Sequence, residues 1–317
     1  MSDSIDDIIT TSFLMAISDL QSEGLSESEI AEKVSKVDYS DVFKKMIDKA
    51  TENAFSNLKN KVFEIEHYQT IANNAFFSHH NKIWGDCFAV SEAMYVIAIE
   101  AAEEYNKYVN EKVSDENKRL SKYTFLVLQY IHGRCCQEYL EILYLMKLGF
   151  ADCAYARWRS MFELCCIAHF IKKHGEIVAK QYFDNSKSKK QGVNQWTAGV
   201  KDKNGKDFCS FNAILKDCDI DEAWKTQYEM ACLLVHGSPQ GTFKKLCLKD
   251  DSQLIVVGHS DYGISIPAEH SAISLQWITT MFLSIFPNFD SIVHLQVLQN
   301  WVEVVRDSYS SKEDECF

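Results

Sequence analysis

Three prolines in 317 residues leave this chain almost without helix breakers. Proline removes a backbone donor and ends helices, and glycine supplies the left-handed turns that many short strands need. With only 12 glycines as well, a fold of many strands lacks its turns, and long helices are the natural alternative. A hydrophobic content of 46%, with 12% aromatics, is enough to give such helices a substantial core. The sequence therefore predicts an all-α fold, a helical bundle. The exception is residues 243–266, where Leu246, Leu248, Leu254, Ile255, Val256, Val257, Ile264 and Ile266 are β-type residues divided by Asp250-Asp251 and Asp261-Tyr262-Gly263. They predict a small β-hairpin or flap inserted into the bundle.

Helical spacing organises the rest. A serine followed three residues later by a carboxylate, Ser26 and Glu29, marks a helix start. Phe43, Ile47, Ala50, Ala54, Leu58, Val62 and Ile65 step by three and four, which predicts one helix over residues 42–68. A second pattern spans 84–108 and ends in the polar stretch 110–118. The domain division read from this is 1–118, an N-terminal helical region, and 119–317, the main bundle. Leu128, Ile131, Cys135, Tyr139, Ile142 and Met146 form a clear stripe that Gly149 stops. Residues 151–174 are apolar nearly all round, as befits a helix in the middle of a bundle. A further helix from Asp221 stops at His236-Gly237-Ser238-Pro239, and Pro267 and Pro287 introduce the last two, over 267–286 and 287–307. The apolar surface of 273–286 is suited to burial in a symmetric homodimer.

A net charge of −12 argues against a broad grip on nucleic acid, because phosphate binding needs clustered cations. A local basic groove is compatible with it. Lys187, Lys189, Lys190, Lys201, Lys203 and Lys206 form a lysine-rich stretch whose ordinary reading is a solvated loop. The eleven cysteines contain no C-x-x-C pair, and the doublets Cys135-Cys136 and Cys165-Cys166 sit in apolar helices, so they read as reduced core thiols. Neither a zinc site nor a cofactor is indicated. The N-terminal residues lack a basic, cleavable leader, and no apolar run approaches the ~20 residues of a membrane span. The expectation is a soluble cytoplasmic protein.

Arg159 and Glu163 lie one turn apart on the most apolar helix, where a charge is costly unless paired and even a pair seldom improves on hydrophobic packing. The same spacing in Arg134 and Glu138 reads as an ordinary helix pair. His236, beside Gly237 and Ser238 at a helix end, reads either as a complement to the helix dipole or as a proton-transfer group in a shared cleft. Arginine with histidine suits metal-independent phosphodiester cleavage: histidine moves the protons, arginine stabilises the anionic transition state, and Glu163 orients Arg159. Lys187, Lys189, Lys190 and Ser238 would then bind the RNA. Of the remaining histidines, His79-His80 reads as a surface pair. No phosphate loop, dinucleotide fingerprint, H-E-x-x-H or nucleophile elbow is present.

The glycine-ended helix over 141–149, the R-S-x-x-E segment from Arg159 to Glu163 and the late segment from Tyr228 to His236-Gly237-Ser238 resemble an uncharacterised bacterial helical family, domain of unknown function 5677, over roughly residues 80–285. That family resembles, more distantly, the HEPN-type helical proteins of prokaryotic toxins and antiphage systems, many of which are metal-independent ribonucleases acting as dimers. Their usual signature, a histidine four to six residues after an arginine on one helix, is absent here. Two expectations result. One is a ribonuclease of a toxin or antiphage defence system using Arg159, Glu163 and His236. The other is a non-enzymatic helical sensing or assembly module that binds a protein partner through its N-terminal helices.

Overall fold

The computed structural model describes residues 5–36, 39–189, 192–218, 220–236, 238–243, 245–248 and 255–316. Fourteen helices occur among them: α1 Ile5–Ser22, α2 Glu27–Ser35, α3 Tyr39–Asn60, α4 Val62–Lys112, α5 Asp115–Leu120, α6 Lys122–Lys147, α7 Ala151–His174, α8 Glu176–Asn185, α9 Val193–Trp196, α10 Phe211–Asp217, α11 Glu222–Val235, α12 Pro239–Phe243, α13 Ser265–Leu283 and α14 Phe289–Cys316. The chain divides into two compact units, Met1–Ala72 and Asn73–Phe317. No helix is long and apolar enough to cross a membrane among the described residues.

In the first unit the capping pair forms as the sequence dictates: the Ser26 N–H donates to Glu29 Oε2 at 2.8 Å and α2 follows. The single helix expected over 42–68 is interrupted at Lys61, which lies in a turn between α3 and α4. The stripe on α3 is real but stands in water, with Phe43, Ile47 and Leu58 exposed, as is Phe55 beside it.

In the second unit α6, α7 and α13 pack on one another, α14 closes on α13, and α8, α10 and α11 lean on α7. The stripe from Leu128 to Met146 is wholly buried, and α7 is buried on both of its apolar faces. Trp84, Trp158, Tyr139, Phe162, Phe170 and Phe282 fill the centre. Ile278, Phe282 and Leu283 of α13 belong to this core, while Ile273, Trp277 and Phe286 of the same stretch are half-buried. Gly149 ends α6 with φ +72°: its N–H donates to Met146 O at 2.9 Å and that of Phe150 to Leu145 O at 2.9 Å, the paired bonds of a Schellman cap. A methyl group there would meet the Phe76 ring at 2.6 Å and Ser260 O at 2.9 Å.

The hairpin expected over 243–266 does not form. Among the described residues there is no strand, only an isolated bridge between Lys201 and Asp207. Residues 244 and 249–254 lie outside the described residues. The reason is where the flanking backbone spends its hydrogen bonds. Leu246 N–H donates to Asp152 Oδ1 at 2.8 Å, Ser260 N–H to Gly149 O at 3.0 Å, and the Ser260 hydroxyl to Cys247 O at 2.7 Å. The segment is thus fastened to the α6–α7 corner instead of to a partner strand. Ile255 and Val257, whose side chains suggested strands, are exposed.

Candidate functional site

Two polar clusters interrupt the faces of α7. In the first, Arg159 Nη2 and Glu163 Oε1 pair at 2.8 Å, each side chain a little over a quarter exposed. Tyr228 of α11 completes the group by donating its hydroxyl to the same Glu163 oxygen at 2.7 Å. Burial works against the charge of Arg159, but Tyr228 and Glu163 beside it outweigh that and raise its pKa. Burial, with Glu163 next to it, likewise pushes the Tyr228 phenol above its ordinary range. Arg159 Nε is buried without a hydrogen-bond partner among the described residues. The α7–α11 contact holds the group in place through aromatic packing: Phe162 touches Tyr228 and Trp224 at ring separations of 5.5 and 6.3 Å.

His236 ends the helix that carries Tyr228. It is the exposed, extended C-cap of α11, and its N–H bonds to Cys232 O at 3.3 Å. It lies eight residues beyond Tyr228, about 12 Å of helical rise. No hydrogen bond or ion pair joins it to Arg159 or Glu163 among the described residues. Ser238 caps α12, accepting the Gly241 N–H on its hydroxyl at 3.0 Å. Lys187 and Lys189 are exposed, and the Lys187 ammonium rests 4.8 Å from the centre of the Phe183 ring. Lys190 lies outside the described residues. The structure therefore brings Arg159 and Glu163 together.

The second cluster is one that helix spacing treated as ordinary. Glu138 of α6 is fully buried. Its Oε1 accepts from Arg134 Nε at 3.0 Å and the Ser160 hydroxyl at 3.1 Å, and pairs with Arg157 Nη2 at 3.3 Å. Arg157 Nε also donates to Glu141 Oε2 at 2.5 Å. Glu138 Oε2 is buried and unpartnered among the described residues. The sequence carries the i,i+4 signal for Arg134 and Glu138, but nothing in it distinguishes this pair from a solvated one.

His80 is a further correction. Far from the surface, it is 1% exposed, with Nδ1 2.6 Å from Asp261 Oδ1 and Nε2 2.8 Å from Met146 O. Only His79 keeps the expected exposure, 3.5 Å from Asp261 Oδ2. Among the described residues no group of three or more His, Cys, Asp or Glu side chains is placed to hold a metal ion.

All eleven cysteines are free: both doublets, with Cys87, Cys218 and Cys247, are buried, whereas Cys153, Cys209 and Cys316 are exposed. Burial pushes the Cys136 and Cys247 thiols up to about 12.

No curated protein and no solved structure matches this chain. Residues 125–253, which hold both clusters on α7 together with His236, match a family model described as a family of unknown function (DUF5677).

Proposed function

We propose that this chain is a non-enzymatic helical sensing or assembly module that binds a protein partner through its N-terminal helices. The observation supporting this reading is that Arg159, Glu163 and Tyr228 bond to one another while no hydrogen bond or ion pair joins His236 to them among the described residues. Phosphodiester cleavage without metal needs a proton-transfer group within hydrogen-bond reach of the same phosphate that the arginine stabilises. Here the arginine's charge is already answered by Glu163. The α7–α11 group instead has the form of a register lock, a charged pair sealed by a tyrosine between two packed helices. Phe43, Ile47 and Leu58 of the α3 stripe, with Phe55 beside them, are each about half exposed and supply the kind of apolar surface that protein partners cover.

The test has two arms. Total RNA incubated with purified wild type or His236→Ala, with chelator present, is expected to stay intact in both. Cleavage by wild type that the variant loses would instead favour the ribonuclease reading. In the cells that make the protein, the tagged chain is expected to migrate in a larger complex that the Phe55→Asp/Leu58→Asp double variant loses. Migration as a free chain by wild type would remove the partner-binding reading.

A further inference from the structure

A cavity of about 780 Å³ lies away from both clusters on α7, between the loop that precedes α10 and α10 itself. Lys173, Lys203, Lys206 and Lys216 line it, together with Asp202, Asp207 and Asp217. In a chain of net charge −12, this concentration of lysines is local and unusual.

The loop carrying the lysines is built, not loose. Lys201 and Asp207 bridge its base, backbone to backbone and through an ion pair at 2.6 Å. Asp202 Oδ1 accepts the N–H groups of Asn204 and Lys206 at 2.9 and 2.8 Å, and Gly205, at φ +74°, turns the tip. Phe208 then anchors the loop in the core, its ring centre 4.9 Å from that of Phe170, and the Thr197 hydroxyl donates to Phe208 O at 2.8 Å.

The carboxylates of the groove are already engaged. Asp207 is paired with Lys201. Burial works against the Asp217 carboxylate, but His174 at 2.9 Å and Lys173 at 3.0 Å outweigh it and hold its pKa below the ordinary value. Asp202 is turned onto backbone amides, that of Lys206 foremost, which lowers its pKa. Lys203, Lys206 and Lys216 make no ion pair among the described residues. Three lysines thus line one groove with no carboxylate within ion-pair distance of any of them among the described residues.

We infer that this groove binds a phosphate-bearing ligand of nucleotide size, its phosphates held by Lys203, Lys206 and Lys216. The volume falls within the few hundred to ~1,000 Å³ typical of small-ligand sites. A polynucleotide is disfavoured because it requires phosphate contacts repeated along an extended basic path, and these lysines form a single short cluster on an acidic chain. Such a ligand would be what a sensing module senses, but the inference rests on the groove alone and stands whether or not the protein-partner reading holds.

The experiment is calorimetric titration of the full chain with inorganic tripolyphosphate, with ATP and with a short single-stranded RNA. Both small anions are expected to bind, with affinity falling as salt rises from about 50 to 200 mM. The Lys203→Gln/Lys206→Gln variant and the Lys216→Gln variant are each expected to bind roughly tenfold more weakly or worse, as the loss of charge-assisted phosphate contacts requires. Lys107→Gln should match wild type. Equal affinity for the two anions would identify the phosphate chain as the whole of what is recognised, and tighter ATP binding would add the nucleoside. Absence of binding by both anions, or losses under twofold in the variants, would overturn the site. Binding of RNA alone would overturn it in favour of a nucleic-acid surface.

Discussion

Glu163 receives two donors on one oxygen, the Arg159 guanidinium and the Tyr228 hydroxyl. Removing the hydroxyl in Tyr228→Phe costs one charge-assisted bond, about 1.5–3 kcal/mol, which a urea midpoint would report. Glu138→Ala is the harsher change, because Arg134 and Arg157 lose the carboxylate they share. It is expected to destabilise by roughly 2–4 kcal/mol, discounted for the exposure of Arg134. His132 supplies a pH signature. Burial lowers its pKa from 6.5 to about 4, and its Nε2 lies 3.1 Å from Thr279 Oγ1. The unfolded chain therefore takes up a proton in that interval that the folded chain refuses. Its contribution is fully present above about pH 6.5 and is lost as the pH falls towards 4, on the order of 3 kcal/mol across the window. His132→Gln should flatten that limb of a stability–pH profile, and an unchanged slope would remove the assignment.

Among the elements, the α6–α7 corner is the most demanding. Gly149→Ala would force a methyl group against Phe76 and Ser260 and hold an L-residue at φ +72°, so a loss well above the ~1–2 kcal/mol of the left-handed backbone alone is expected in thermal unfolding. This corner also shows what the sequence makes legible. The α6 stripe and its glycine stop could be read directly, because burial on one face forces a step of three and four and a Schellman cap favours glycine. The all-round apolar character of α7 was equally plain. The hairpin misled because side-chain type reports preference for a pleated surface, whereas Asp152 and Gly149, about a hundred residues earlier, decide where the backbone of Leu246 and Ser260 bonds. The Arg159–Glu163 pair was legible from helix spacing. The depth of Glu138 was not, nor the seat of His80, which depends on Asp261, 181 residues away.

For the whole molecule, the matched segment 125–253 is expected not to fold on its own. It stops short of α13 and α14, yet α13 covers both α6 and α7. A fragment of those residues is expected to bind a hydrophobic dye and to melt without a cooperative transition, while 73–317 should give one. The distribution of sulfur offers a different handle on the intact chain. Seven of the eleven thiols are buried and three are exposed. A disulfide reagent should therefore titrate the exposed set within the mixing phase and reach the buried set only as the bundle opens. The late phase becomes a clock for the core, read without any added label. Because the two doublets sit on the facing helices α6 and α7, that clock reports the separation of the most extensively packed helix pair of the second unit.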